Sequence, residues 1–407
     1  MTASERIEAL DFIRGFAILG ILLANIVAFS NNGLAYFWPP ALPGGASESD
    51  SWIWLAQLVL VDGKMRGLFA LLFGAGLVLF TERKQGQTDG ARLQARRLFW
   101  LAMFGMAHYA LLFGGDILFM YAAAGFVALM GVHGTARGTL LAGIVWLVAA
   151  GALSASELAN LALIEYNTVG EAAHPARAVI EEFWRGRIAE NMIEAEVYAD
   201  GSYAQVVGLR VSEGGDELLR QLTLIFYETI PQLLIGIGLF KAGLFTDADL
   251  RARWRPVAWL GIVIGLALLL AAGLFVSQRG FPPYQTQFVF FGVATLANLP
   301  ILLGAVLLLT DFAAKANDSW LGERLRQAGR MAFSNYIGMS LVMMLIFQGW
   351  AGGMYGEYHR AYLLLFVLLG WALMLTFSRV WLAKFRYGPL EWLWRCLTYW
   401  RLFPLKR

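Results

Sequence analysis

Residues Pro256 to Ser277 read PVAWLGIVIGLALLLAAGLFVS, 22 residues without one charged side chain. At about 1.5 Å rise per residue such a helix is about 33 Å long, enough to cross the roughly 30 Å hydrocarbon core of a bilayer. The rest of the chain is of the same kind. Of its 407 residues 58% are apolar and 15% charged, against roughly 45–50% and 25% in soluble domains. A mean hydropathy of +0.58, with 15 Trp, 14 Tyr and 28 Phe, describes a molecule whose outer surface faces lipid.

Working outward, comparable apolar runs lie near 10–30, 65–81, 98–113, 115–132, 138–156, 221–240, 287–310, 331–350 and 360–383. The expected fold is therefore all-α, a polytopic membrane bundle of about ten spans. The run from Trp52 to Val61 is only 10 residues long and reads as an interfacial or re-entrant helix. The loop 31–51 holds no Lys or Arg, whereas 82–97 holds Arg83, Lys84, Arg92, Arg96 and Arg97. Basic residues keep to that second side at 241–255, 315–330 and 384–407, so both termini are expected in the cytoplasm. Arg14 interrupts the first run, which is expected to stay as a signal anchor. This divides the chain into an N-terminal bundle (1–156), a helical extracytoplasmic cap (157–220) rich in Glu, a C-terminal bundle (221–384) and a cytoplasmic interfacial tail (385–407).

Composition excludes several functions. Cys396 is the only cysteine, so neither a disulfide scaffold nor dithiol redox chemistry is available. A net charge of +3 is too even for nucleic-acid binding. Four scattered histidines make no metal site, and His133, His174 and His359 carry no assigned role. Soluble catalytic motifs such as GxSxG, HExxH and Walker A are missing. Glycine runs such as Gly74-Ala75-Gly76 allow close helix approach within one chain or between two, which leaves oligomers open.

Ionisable groups inside spans cost at least about 2.5–3.5 kcal/mol each and are site candidates for that reason. Asp11, Arg14 and Asn25 fall within about 60° of one helix face, with Asn25 about 21 Å above Asp11. They form either a functional stripe or an Asp11–Arg14 pair with Asn25 bonding a neighbouring helix. His108 and Asp116 flank Gly114-Gly115, where a helix break is expected. The imidazole could act as a base oriented by the carboxylate, or His108 could bond a carbonyl while Asp116 caps the next helix. Glu228, three residues before Pro231, could face the same cavity or form a structural pair. Lys64 and Arg66 are expected to snorkel to headgroups. The inner arginines Arg14, Arg92, Arg96, Arg97 and Arg330 could cradle a phosphorylated cofactor, or mark orientation alone.

These residues carry a resemblance. The run Leu10-Asp11-Phe12-Ile13-Arg14-Gly15-Phe16-Ala17 with Asn25 looks like the first span of the YeiB-like membrane proteins (domain of unknown function 418). It is also similar to that of heparan-alpha-glucosaminide N-acetyltransferase. Arg96-Arg97 before His108, Gly115-Asp116-Ile117-Leu118 with Tyr121, and Gly201-Ser202-Tyr203 fit the same pattern. So do Gly329-Arg330-Met331-Ala332 with Asn335-Tyr336, and Gly388-Pro389-Leu390-Glu391-Trp392-Leu393-Trp394-Arg395. Membership of the transmembrane acyltransferase superfamily is what this implies, with an acyl group moved from cytosolic acyl-CoA across a bacterial inner (cytoplasmic) membrane. Asn25 matches a functional Asn of the N-acetyltransferase. Where that relative has a catalytic His eleven residues later, this chain has Tyr36.

The leading expectation is an acyltransferase. Its donor, acyl-CoA and in the first place acetyl-CoA, would bind near Arg14, Arg96, Arg97 and Arg330. His108 would be the base with Asp116 orienting it, and Asn25 would donate to the oxyanion. Asp11, Glu228 and Asn335 would be substrate-facing or structural polar groups. The acceptor would be an extracytoplasmic glycan or lipid headgroup chosen by the cap. The alternative is a transporter or lipid flippase whose pathway these groups line.

Overall fold

The computed structural model describes residues 3–82, 90–168, 175–316 and 319–407, with side chains from residue 8 onward. Arg83, Lys84 and His174 lie outside the described residues. The described chain is helical: α1 (Ala3–Ser30), α2 (Gly33–Phe37), α3 (Glu48–Leu60), α4 (Lys64–Glu82), α5 (Gly90–Leu111) and α6 (Leu118–Val132) come first. The long α7 (Ala136–Asn167) leads to α8 (Pro175–Asp200), α9 (Tyr203–Ser212) and α10 (Gly214–Leu224). The second half holds α11 (Ile230–Lys241), α12 (Ala248–Ser277), α13 (Pro283–Gln287), α14 (Ala294–Lys315), α15 (Trp320–Arg330), α16 (Ala332–Phe347), α17 (Arg360–Lys384) and α18 (Pro389–Tyr399). Two π-helical turns, Ile225–Thr229 and Phe288–Val293, join α10 to α11 and α13 to α14.

Among the described residues seven helical segments are long and apolar enough to cross a membrane, or eight with the pair α15–α16, which bends by 83°. Seven of the expected spans thus meet the requirement, and 331–350 meets it only when α15 and α16 count as one span. The other two are α5, which carries Arg92, Arg96 and Arg97 in its first turns, and α6, which has only 15 residues. The stretch 52–61 belongs to α3, which packs against α12 and α17 with Trp54 and Leu58 fully buried. Trp52 and Leu60 of the same helix are exposed, so α3 packs one face into the bundle and shows the other outside.

Glycines set the closest crossings. A Cβ on Gly15 would strike the Leu325 carbonyl, and one on Gly329 would strike the Asp11 carbonyl, so α1 and α15 touch backbone to backbone. Gly74 and Gly236 play the same part between α4 and α11, against the carbonyls of Leu233 and Leu71. In lipid, where tails are as apolar as side chains, such close approach is a main source of helix affinity. The Gly74 motif therefore serves packing inside this chain.

Lys64 and Arg66 do not snorkel. Lys64 is buried and its Nζ donates to the Leu58 and Asp62 carbonyls at 2.8 and 3.1 Å, while Arg66 pairs with Glu228. The turn between α3 and α4 lies inside the bundle, so its free carbonyls and the π-turn carboxylate are nearer than any headgroup.

The segment between 157 and 220 is helical as expected, although α7 continues to Asn167 before α8–α10 begin. These helices cover the end of the bundle away from the start of α1. Asn191 Oδ1 accepts from the Leu34 N–H, the Tyr203 hydroxyl donates to the Leu111 carbonyl at 3.1 Å, and the Gly349 N–H donates to Tyr198 O. Glu194 on α8 lies near Glu213 and Glu217, with Arg210 opposing them. Burial first, then the neighbouring Glu213, push its carboxyl up to about 7. Between an unfolded value of about 4.5 and about 7 the folded cap binds the extra proton, so its stability falls as pH rises through that window. Amide exchange in α8–α10, corrected for intrinsic rates, is expected to report slower opening at pH 5 than at pH 7.5, and Glu194→Gln should abolish the difference.

Candidate functional site

Helix α5 ends because Leu112 and Phe113 both turn their N–H groups back to the His108 carbonyl, and Gly114-Gly115 follows. The chain then folds over the helix end before α6 starts, which returns Asp116 to His108. Asp116 Oδ1 lies 2.8 Å from His108 Nδ1, and Oδ2 accepts from the Phe119 N–H at 2.8 Å. Both roles foreseen for Asp116 are therefore filled by one carboxyl group, as the partner of the imidazole and as the cap of α6.

The far nitrogen has a partner that sequence reasoning missed. His108 Nε2 lies 2.8 Å from Ser340 Oγ on α16. With Nδ1–H given to the carboxyl, Nε2 offers its lone pair to the serine hydroxyl, the relation found in Ser-His-Asp relays. Ser340 Oγ also lies 3.1 Å from the Tyr336 carbonyl, so its single hydrogen has two destinations. All three side chains are buried. The Tyr336 hydroxyl accepts from the Ile117 N–H and lies at the same distance, 3.3 Å, from the Gly115 carbonyl, pinning the break in place. The available signal was helical spacing: Ser340 follows the quoted Tyr336 by one turn on the same face of α16.

Asn25 and Ser340 line one narrow cavity together with Phe29, Tyr336 and Met374, with room for about one water. The Asn25 amide makes no hydrogen bond to any described residue. The expected bond to a neighbouring helix is not formed. Phe29 stacks on Phe113 with centroids 3.9 Å apart and closes the cavity toward the α5–α6 break.

At the other end of the α1 stripe Arg14 pairs with Asp11 at 2.9 Å, Arg97 lies within electrostatic range of Arg14, and Arg330 within range of Asp11. Arg97 lies over the rings of Trp394 and Phe80 at 4.5 and 5.2 Å, without an ion-pair partner among the described residues. Arg96 turns away to the Thr398 carbonyl and the Trp400 ring. Three guanidiniums and the carboxyls of Asp11 and Glu8 thus gather there, with Arg96 outside the group.

The remaining candidates are bonded within the fold. Glu228 bonds Arg66 and Thr295 and lies outside the cavity of Asn25. Asn335 touches that cavity, but its amide donates to the Ala328 carbonyl and Ser378 Oγ at 3.1 and 2.9 Å. The tail motif supplies Glu391, whose Oε1 accepts from the N–H groups of Phe333 and Ser334 and so caps α16. Burial raises its carboxyl above the usual range, opposed by those same bonds. A second buried network went unforeseen. Arg360 binds Gln57 and the carbonyls of Ala35 and Tyr36, and the Tyr36 hydroxyl donates to Asp62 at 3.3 Å.

Residues 239–401 match a family described as protein of unknown function (DUF418). The chain is 30% identical over 406 residues, 97% of its length and 96% of the relative, to uncharacterized protein YeiB of Escherichia coli (strain K12). The chain belongs to the YeiB-like family. This YeiB-like chain is also 28% identical over 425 residues to uncharacterized protein YxaH of Bacillus subtilis (strain 168), covering 99% of itself and 97% of that protein. No solved structure matches it.

Proposed function

We propose that the chain is a membrane-embedded acyltransferase that moves a small acyl group, acetyl first among them, from cytosolic acyl-CoA to an acceptor on the opposite face of a bacterial inner membrane. The observation that carries this reading is an unpartnered amide, Asn25, facing across a one-water cavity a serine held by His108 and Asp116. A half-buried amide with no bond to the described residues has a use if it donates to an oxygen that arrives during reaction. The resemblance of the first span to that of heparan-alpha-glucosaminide N-acetyltransferase is in line with it.

In the first half-reaction Ser340 Oγ attacks the thioester carbonyl carbon while His108 Nε2 takes its proton. The carbon–sulfur bond breaks, and the imidazolium returns that proton to the departing thiolate. An acceptor hydroxyl or amine then gives its proton to Nε2 and attacks the acyl-serine, and Oγ leaves with the proton restored. Asn25 donates to the oxyanion in both halves. Coenzyme phosphates would fall to Arg97 and Arg14 with Arg330 nearby, because Arg97 has no ion-pair partner among the described residues.

Asn25→Ala is the sharpest test, since the amide makes no hydrogen bond to the described residues. Its thermal unfolding should match the wild type, while transfer from radiolabelled acetyl-CoA to glucosamine in proteoliposomes should fall by about 10²–10³-fold. Wild-type rates in that variant would sink the oxyanion role. Solute flux with no acetylated product from the wild type would replace the transferase by a transporter.

A further inference from the structure

A second cavity lies on the opposite side of α1. It is an open groove of about 550 Å3 between α1, α4, α12 and α14, within the range of small-molecule sites. Its walls are apolar, with Phe16, Leu68, Ile262 and Leu308 among them. Its polar groups gather at its two ends. At one end stand Arg255, Asp311 and Lys315, beside Phe312, whose ring meets Phe12 near the start of α1. Met65 and Lys64, the latter held by two backbone carbonyls, close the other.

Two magnitudes define what fits. Arg255 and Leu266 on the α12 wall are eleven residues apart, or about 17 Å, close to the roughly 15 Å hydrocarbon depth of one leaflet. Asp311 is shared by Arg251 and Arg255 at 2.6 and 2.7 Å, and exposed Lys315 has no partner among the described residues. Arg251 and Arg255 thus share one carboxyl group, and Lys315 lines the same end of the groove, which makes that end basic. Exposed Trp254, just before Arg255, suits a headgroup interface.

We propose that this groove is a binding site for one anionic phospholipid, with an acyl tail between α1, α12 and α14 and the phosphodiester headgroup on Arg255 and Lys315. Basic pockets between spanning helices recognise such headgroups by charge, while the groove supplies the shape that selects one tail from the bulk lipid. The site is separate from the Ser340 cavity and does not depend on the acyltransferase reading.

The test is native mass spectrometry of the full chain released from nanodiscs of equal parts phosphatidylglycerol and phosphatidylcholine. Wild type should retain one phosphatidylglycerol in preference. Lys315→Gln, which removes no bond among the described residues, should lower that preference about five-fold, the equivalent of about 1 kcal/mol per cation. Arg255→Gln with Lys315→Gln should lower it about twenty-five-fold, since Asp311 keeps Arg251. Ala305→Phe, which fills the groove, should remove both lipids while the melting profile stays wild-type. Equal retention of the two lipids, or an unchanged preference in the double variant, would overturn the headgroup assignment. Retention undiminished in Ala305→Phe would place the lipid elsewhere.

Discussion

Asp116→Asn is expected to lower acyl transfer by about 10⁴-fold per folded molecule, the scale seen when an orienting carboxylate in a Ser-His-Asp relay becomes an amide. The two Asp116 oxygens each accept one N–H, from His108 Nδ1 and from Phe119. An asparagine has one oxygen for these two donors. If it keeps Phe119, its NH2 faces Nδ1 and drives the imidazole to the other tautomer. Nε2 then carries hydrogen and cannot take the Ser340 proton. Initial rates with labelled acetyl-CoA, set beside thermal unfolding, check this. A purely structural His108–Asp116 link would lose stability in the variant while its rate per folded molecule stayed at the wild-type level.

Gly329→Leu is expected to prevent assembly of the bundle, and Gly329→Ala to cost about 3 kcal/mol or more, the upper end of overpacking effects. The first carbon added at Gly329 meets the Asp11 carbonyl, and the reciprocal contact sets Gly15 against Leu325. Neither obstacle is a side chain that can rotate aside, so the helices themselves must separate. That separation would also pull Arg330 from Asp11. Gly338→Ala is the control: it lies in α16 with nothing within 4 Å of the added carbon, and the better helix propensity of Ala should leave it neutral or stabilised by up to about 1 kcal/mol. Melting curves in detergent decide between these outcomes. A Gly329→Ala protein as stable as the control would contradict the backbone contact.

The spans were readable because lipid permits few alternatives to long apolar helices, and 256–277 could be little else. The α5–α6 break was readable too, since Gly114-Gly115 removes side chains where the turn needs room. Ser340 was not. A serine in a span is ordinary and commonly bonds its own helix, as Ser340 also does with Tyr336. Only the fold reveals that its oxygen also meets an imidazole 232 positions away. Lys64 and Arg66 misled for a related reason. Hydropathy places a charged residue near a span end in the headgroups, but it cannot see carbonyls and carboxylates that a neighbouring turn brings closer. Arg96 and Arg97 are adjacent in sequence yet point apart, because neighbours on a helix diverge by about 100°.

The contact between Glu391 and the start of α16 bears on how the molecule is made. The carboxyl that closes the helix carrying Ser340 arrives 57 positions after the N–H of Ser334 that it satisfies. During synthesis that helix must therefore enter the membrane with its first amides exposed, and it settles only once the last part of the polypeptide has emerged. Closure of the start of α16 is thereby tied to completion of translation, so that a chain released early would lack the carboxyl that caps it.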